Sequence, residues 1–297
     1  MQRERMVEGR TSFRERVLPP YSISQINAEF AERGERELRK WVSELEIEVE
    51  AEREQYHTGP VVYLSNHLSQ LDYFVPKFAM LAVGLPFARA VAGDNLRHWV
   101  VRNLIYDFEK YGVLWHDRAS RKQGLESYVE SLAECLASGE SVLVFPEGGR
   151  NREARGNPRE FKRGFFRVLL RAWQRAEEKS KLARDTKIAC LACAYDSIPE
   201  EGFFDKIDRH GFGTMQYYLW DALAHLKWRY FKNPKARAIV RFDAPIALAD
   251  LTSGHLRHAK EREVAEVLSQ FTRERITEIY ELLNEKLESR ELNARDG

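Results

Sequence analysis

Short apolar runs separated by longer amphipathic stretches fill the middle of the chain, and this alternation sets the fold class. The runs are Val61-Val62-Tyr63-Leu64, Gly112-Val113-Leu114-Trp115, Val142-Leu143-Val144-Phe145, Ile188 to Tyr195 and Ala238-Ile239-Val240. Between them lie helix-like segments such as Gln123 to Ser138 and Phe165 to Lys181. Strand-length runs alternating with helical stretches predict an α/β fold, a mixed, largely parallel sheet flanked by helices. Before this core, Ser22 to about His57 is dense in Glu and Arg and reads as a helical extension. The expected organisation is therefore an N-terminal helical extension over 1–57 and one domain over 58–297. A helical pattern through Val264, Leu268, Phe271, Ile279, Leu282 and Leu283 closes the chain.

The residues just after four of these runs point to a site. After Leu64 comes Ser-Asn-His, after Trp115 His-Asp-Arg, after Phe145 Pro-Glu-Gly-Gly-Arg, and after Tyr195 Asp-Ser. Ligands of open α/β sheets bind beyond the carboxyl ends of the strands. Runs that each end in titratable groups are then walls of one site.

The first wall carries His67 and, five residues on, Asp72. Chemistry that uses a hydroxyl as nucleophile needs a base, because a free hydroxyl is a poor nucleophile near neutral pH. Histidine suits that task, and a carboxylate on its far ring nitrogen fixes the tautomer and stabilises the imidazolium. On one helix, residues five apart are rotated by about 140° and do not share a face. The pair meets only if His67 lies in the strand-to-helix turn and Asp72 in the first helical turn. Ser69 and Asp72 also have the spacing of a helix-capping pair. Capping and catalysis are compatible roles, and the neighbouring motifs decide between them.

Those motifs are Gly112 to Arg118, Phe145-Pro146-Glu147-Gly148-Gly149-Arg150 followed by Arg152, and Glu160-Phe161-Lys162-Arg163-Gly164. With His67 and Asp72 they make the sequence similar to the glycerophosphate acyltransferase family, which includes glycerol-3-phosphate and 1-acylglycerol-3-phosphate acyltransferases. His67 and Asp72 match its H-x-x-x-x-D block, Gly112 and Arg118 its second block, and Phe145 to Arg150 its third. The resemblance runs from about Val61 to Pro199, and Ala92 to Leu96 looks like a segment of the glycerol-3-phosphate branch. The fourth block departs. Where the family often has a proline-containing strand, this chain reads Ile188-Ala189-Cys190-Leu191-Ala192-Cys193-Ala194-Tyr195, which bears on donor and acceptor identity.

The resemblance implies an O-acyltransferase of phospholipid synthesis, with acyl-CoA or acyl carrier protein as donor and glycerol-3-phosphate as acceptor. Lysophosphatidate is the alternative acceptor, and a catalytically silent lipid- or phosphate-binding homologue the alternative of another class. It implies that Arg118, Glu147, Gly148 and Arg150 contact the acceptor. Gly149, Arg152 and Lys162 join them on physical grounds, since glycines let amides approach a ligand and cations hold phosphate. Arg167, Arg171 and Arg175, at helical spacing, read as a solvated helix face instead. The expected chemistry calls for no cofactor and no metal.

Composition limits partners and location. Lys and Arg number 47 against 46 Asp and Glu, a formal charge of +1, so general attraction to nucleic acid is not expected. The N-terminus has charge but no apolar leader, and three cysteines do not suggest a disulfide framework. A cytoplasmic protein, peripheral on the inner face of a membrane, is expected. Met215 to Phe231 is aromatic-rich with basic residues close behind, a pattern that suits either a bilayer interface or the core. Cys190-x-x-Cys193 lies inside an apolar run and reads as buried structural cysteine. His225 reads as a surface or packing residue.

Overall fold

The computed structural model describes residues 36, 38–93, 113–116, 123–151, 157–201, 214–232 and 235–295. Strands β1 (Val42–Val49), β2 (Val61–Ser65), β3 (Ala88–Gly93), β4 (Val113–His116), β5 (Ser141–Val144), β6 (Lys187–Tyr195), β7 (Ala236–Phe242) and β8 (Ile246–Ala247) form an eight-stranded sheet. Its order is β1-β7-β6-β2-β5-β3-β4, with β8 beside β6. Every pairing is parallel except those of β6 with β7 and β8. The expected mixed, largely parallel sheet is what forms.

The long helices are α1 (Val75–Val83), α2 (Gln123–Ala137), α3 (Arg163–Lys179), α4 (Thr214–Phe231) and α5 (Glu261–Arg295). Strands β2 and β5 are buried at every position, as expected of parallel strands covered on both faces. The core runs from Trp41 and Tyr56 through these strands to Phe166, Leu169, Ile276 and Tyr280. Arg167 and Arg171 pair with Glu261, and Arg175 pairs with Glu126, so α3 is tied to α5 and α2 by partly exposed ion pairs. The reading of those three arginines as a surface face agrees with this.

One boundary is corrected. Residues 1–35 lie outside the described residues, but 42–49 are not part of a helical extension; they form β1, paired in parallel with β7 along Leu45↔Ala238 and Ile47↔Val240. The cause is a period of two hidden in charge. Leu45 and Ile47 are buried in the core, while Glu46 and Glu48 meet Lys286 and Arg290 of α5 and Arg241 of β7. Glutamates paired to a neighbouring element behave as one face of a strand, although in isolation they favour helix.

Lys77 of α1 is fully buried, its Nζ 4.6 Å from the centre of the Phe87 ring. Burial, helped by the nearby Arg89, lowers its pKa from 10.5 to about 7. Between those values the unfolded chain holds a proton that the folded chain releases, so stability rises with pH through this window. Lys77→Met is expected to change stability more favourably at about pH 6.5 than at about pH 9.5, because methionine has no proton to release on folding. Urea melts at about pH 6.5 and about pH 9.5 check this. The variant's effect relative to the parent becomes less favourable at the higher pH, and an equal effect at both refutes the account.

Candidate active site

The order β6-β2-β5 brings three carboxyl ends together, with the exit of β2 in the middle. Asn66 extends that strand by one residue through its side chain. Its Oδ1 accepts from the Cys193 amide and its Nδ2 donates to the Cys193 carbonyl, both at 2.9 Å. The backbone leaves the sheet at His67, whose amide donates to Glu147 Oε1 at 2.8 Å and whose carbonyl accepts from the Asn151 amide at 2.5 Å. The loop after β5 thus holds His67 from both sides of its backbone. The ring stacks on Phe145 at 4.4 Å and meets Tyr73 edge-on at 5.4 Å.

His67 Nδ1 lies 3.0 Å from Asp72 Oδ2. His67 sits in the turn after β2, and Asp72 is the third residue of a 3-10 turn over Gln70–Tyr73, capped by Ser69 in a capping box. Asp72 Oδ2 also accepts from the amides of Leu68 and Ser69, at 2.6 and 2.9 Å, and Oδ1 accepts from the Tyr195 hydroxyl at 2.8 Å. One carboxylate therefore caps the turn and orients the imidazole. A carboxylate oxygen only accepts, so Nδ1 carries the hydrogen and Nε2 keeps the lone pair. That is the tautomer a base acting through Nε2 requires.

Glu147 faces inward. Its Oε2 accepts from the Arg159 amide at 3.0 Å, and it is 2% exposed. Burial raises its pKa against the pull of the His67 and Arg159 amides. Gly148 is exposed at φ +71°, a conformation that favours glycine. A Cβ there would stand 3.1 Å from Lys162 Cγ, so the exposed Lys162 side chain crosses directly over the turn. Arg159 donates to the Gly149 carbonyl at 2.7 Å. The turn is thus edged by two cations. Arg118, Arg152 and Asp94 to Leu96 lie outside the described residues.

Arg150 is placed differently from the phosphate contact expected of it. Its Nη1 donates to Glu200 Oε1 and Asp221 Oδ1, both at 2.8 Å, and its Nη2 to Asp221 Oδ2 at 3.0 Å. Its side chain is 6% exposed, and both carboxylates are fully buried. Two buried acids draw the guanidinium inward, where its fork suits them. His225 completes the cluster, with Nδ1 2.7 Å from the Asp221 carbonyl and Nε2 3.2 Å from Glu200 Oε1. Burial disfavours a charge on His225, but Glu200 and Asp221 outweigh it and raise the pKa. Burial likewise pushes the Glu200 carboxyl upward, and His225, Arg150 and the Gln70 amide together hold it well below the usual range.

Sequence reasoning did not single out Tyr195, Glu200, Asp221 or His225 as parts of the site. Tyr195 ends β6 and Glu200 follows it, and both were open to suspicion on that ground. Asp221 and His225 stand one helical turn apart on α4 and carry no such signal. Glu200, Asp221 and His225 have three ligand atoms close enough for a cation, but the Arg150 guanidinium already binds both carboxylates, which opposes a second positive charge.

The model of the acyltransferase family matches residues 46–194, half of the chain. The chain belongs to the acyltransferase family. Among curated relatives, a glycerol-3-phosphate acyltransferase of Xanthomonas campestris is 30% identical over 66% of this chain and 21% of its own length. One of Haemophilus influenzae is 27% identical over 71% of this chain and 25% of its own length. This acyltransferase chain thus spans about a fifth to a quarter of those relatives. Among solved structures, the 1-acyl-sn-glycerophosphate acyltransferase PlsC of Thermotoga maritima aligns with a TM-score of 0.46 at 16% identity, over 86% of this chain and 79% of its own. The family match contains both His67 and Asp72, the two residues the geometry brings together.

Proposed function

We propose that this acyltransferase moves a fatty acyl group from a thioester, acyl-CoA or acyl carrier protein, onto a hydroxyl of glycerol-3-phosphate. The observation that carries this is the 3.0 Å contact between His67 Nδ1 and Asp72 Oδ2, formed across the turn that ends β2. The names of the curated relatives favour glycerol-3-phosphate over lysophosphatidate as acceptor. His67 Nε2 takes the hydroxyl proton as the oxygen attacks the thioester carbonyl. The tetrahedral intermediate then expels the thiolate, which recovers that proton from the imidazolium. The result is an ester and a free thiol, with no cofactor and no metal in the step.

The exposed Lys162 and Arg159 at the Gly148–Gly149 turn supply positive charge for the acceptor phosphate in this reading, with Arg118 and Arg152 as further candidates. A transfer assay with glycerol-3-phosphate and lysophosphatidate, each with both donor types, tests the proposal. Ester formation on glycerol-3-phosphate supports it. Reaction with lysophosphatidate alone replaces the acceptor, and reaction with neither refutes the reading.

The reading includes a peripheral membrane contact through α4. No helix among the described residues is long and apolar enough to cross a membrane. One face of α4 buries Asp221, Ala222, His225 and Trp228, while Leu219, Trp220, Leu223, Tyr230 and Phe231 remain exposed. Lys227 and Lys232 are exposed beside them. Exposed aromatic and aliphatic groups flanked by lysines suit an anionic lipid surface. The expected result is co-sedimentation with phosphatidylglycerol vesicles, lost on Leu223→Glu with Phe231→Glu. Binding that survives both changes removes α4 from the contact.

A further inference from the structure

We propose that Glu200 is a positioning residue for the base pair, gripping the turn that holds Asp72 against His67. The inference rests on the acyl-transfer reading of His67. Glu200 follows β6, far from the turn in sequence, yet it bonds two consecutive residues of it. Its Oε2 accepts from the Ser69 hydroxyl and its Oε1 from the Gln70 amide, both at 2.8 Å. Ser69 is in turn the cap of the Gln70–Tyr73 turn, and its own amide donates to Asp72 Oδ2 at 2.9 Å. The chain of contacts is thus Glu200 to Ser69 to Asp72 to His67, with every member buried.

Glu200 Oε1, which takes the Gln70 amide, has two further neighbours. Arg150 Nη1 lies 2.8 Å from Oε1 and His225 Nε2 3.2 Å from the same oxygen. Asp221 reaches the turn independently, accepting from Gln70 Nε2 at 3.3 Å. Asp221 and His225 belong to α4, whose other face is exposed. Glu200 therefore links the loop after β5, through Arg150, and the helix α4, through His225, to the residue that caps the catalytic turn. A carboxylate hydrogen-bonded to several elements fixes position better than packing of apolar groups, which tolerates sliding.

Glu200→Gln tests the proposal in the full chain. The change keeps the side chain's shape and removes one negative charge from the cluster with Arg150, Asp221 and His225. The expected kcat falls roughly 10–100-fold, while KM for both substrates changes little, because the misplacement affects the base and not the binding groups. A second readout needs no turnover. The downfield proton resonance of His67 Nδ1–H, assigned by its loss in His67→Ala, is expected to shift upfield as the contact with Asp72 lengthens.

An unchanged kcat with an unmoved resonance overturns the proposal. So does a loss of activity that follows the folded fraction while the resonance stays in place, which would mark Glu200 as merely structural. If Glu200→Gln does not fold, Ser69→Ala breaks the Ser69 link in the chain from Glu200 to Asp72, along with the Ser69 cap on Leu71, and an unmoved resonance there also overturns it. Should the parent protein acylate no acceptor at all, the reaction reading fails, and the resonance alone decides whether Glu200 positions the pair.

Discussion

His67→Ala is expected to lower kcat/KM about 10³- to 10⁶-fold in the acyltransferase assay, with melting temperature little changed. Among the described residues, the ring's hydrogen bond is to the Asp72 side chain. The amide and carbonyl of residue 67, which do matter, stay bonded to Glu147 and Asn151 in the alanine variant. Alanine leaves a gap beside Phe145 and Tyr73, a modest packing loss, but it removes the group that takes the hydroxyl proton. Asp72→Asn is the sharper variant. The asparagine oxygen still accepts from Leu68 and Ser69, and its amide meets the Tyr195 hydroxyl, so the cap persists. The neutral side chain no longer stabilises an imidazolium on His67, and a loss of roughly 10³–10⁴-fold is the result. Steady-state kinetics beside thermal melts separate these effects. A His67→Ala enzyme within about tenfold of the parent is incompatible with a base at this position.

The pair was legible because its geometry is local. Residues five apart cannot share a helix face, so the sequence permitted contact only across a strand-to-turn junction, and that is where His67 and Asp72 stand. The capping alternative, drawn from Ser69 and Asp72, is also realised, since one carboxylate serves both ends. Strand β5 was legible from the apolar run Val142 to Phe145. The features that escaped were non-local. The glutamates of β1 became a strand face only because α5 and β7 supply lysine and arginine partners. Glu200, Asp221 and His225 form a cluster only when β6 and α4 fold around Arg150. A sequence pattern shows which residues carry charge, but not which of them the fold withdraws from water. For Arg150, the motif pointed toward a ligand and the buried acids turned it inward.

Arg150→Met is accordingly expected to cost about 3–5 kcal/mol of stability. Removing the guanidinium leaves Glu200 and Asp221 facing each other in a fully buried site with only His225 to balance them. A buried charge without its partner is destabilising because the desolvation cost remains while the attraction is gone. The cost should also be strongly non-additive. In a triple variant that adds Glu200→Gln and Asp221→Asn, the stranded carboxylates are gone and much of the lost stability returns. Urea denaturation of the single and triple variants makes the comparison. A guanidinium whose main task is to hold the acceptor phosphate gives the opposite pattern: Arg150→Met keeps the parent's midpoint, the acceptor KM rises, and neutralising the acids rescues nothing. The buried fork predicts a loss of stability that the neighbouring acids create and that their removal relieves.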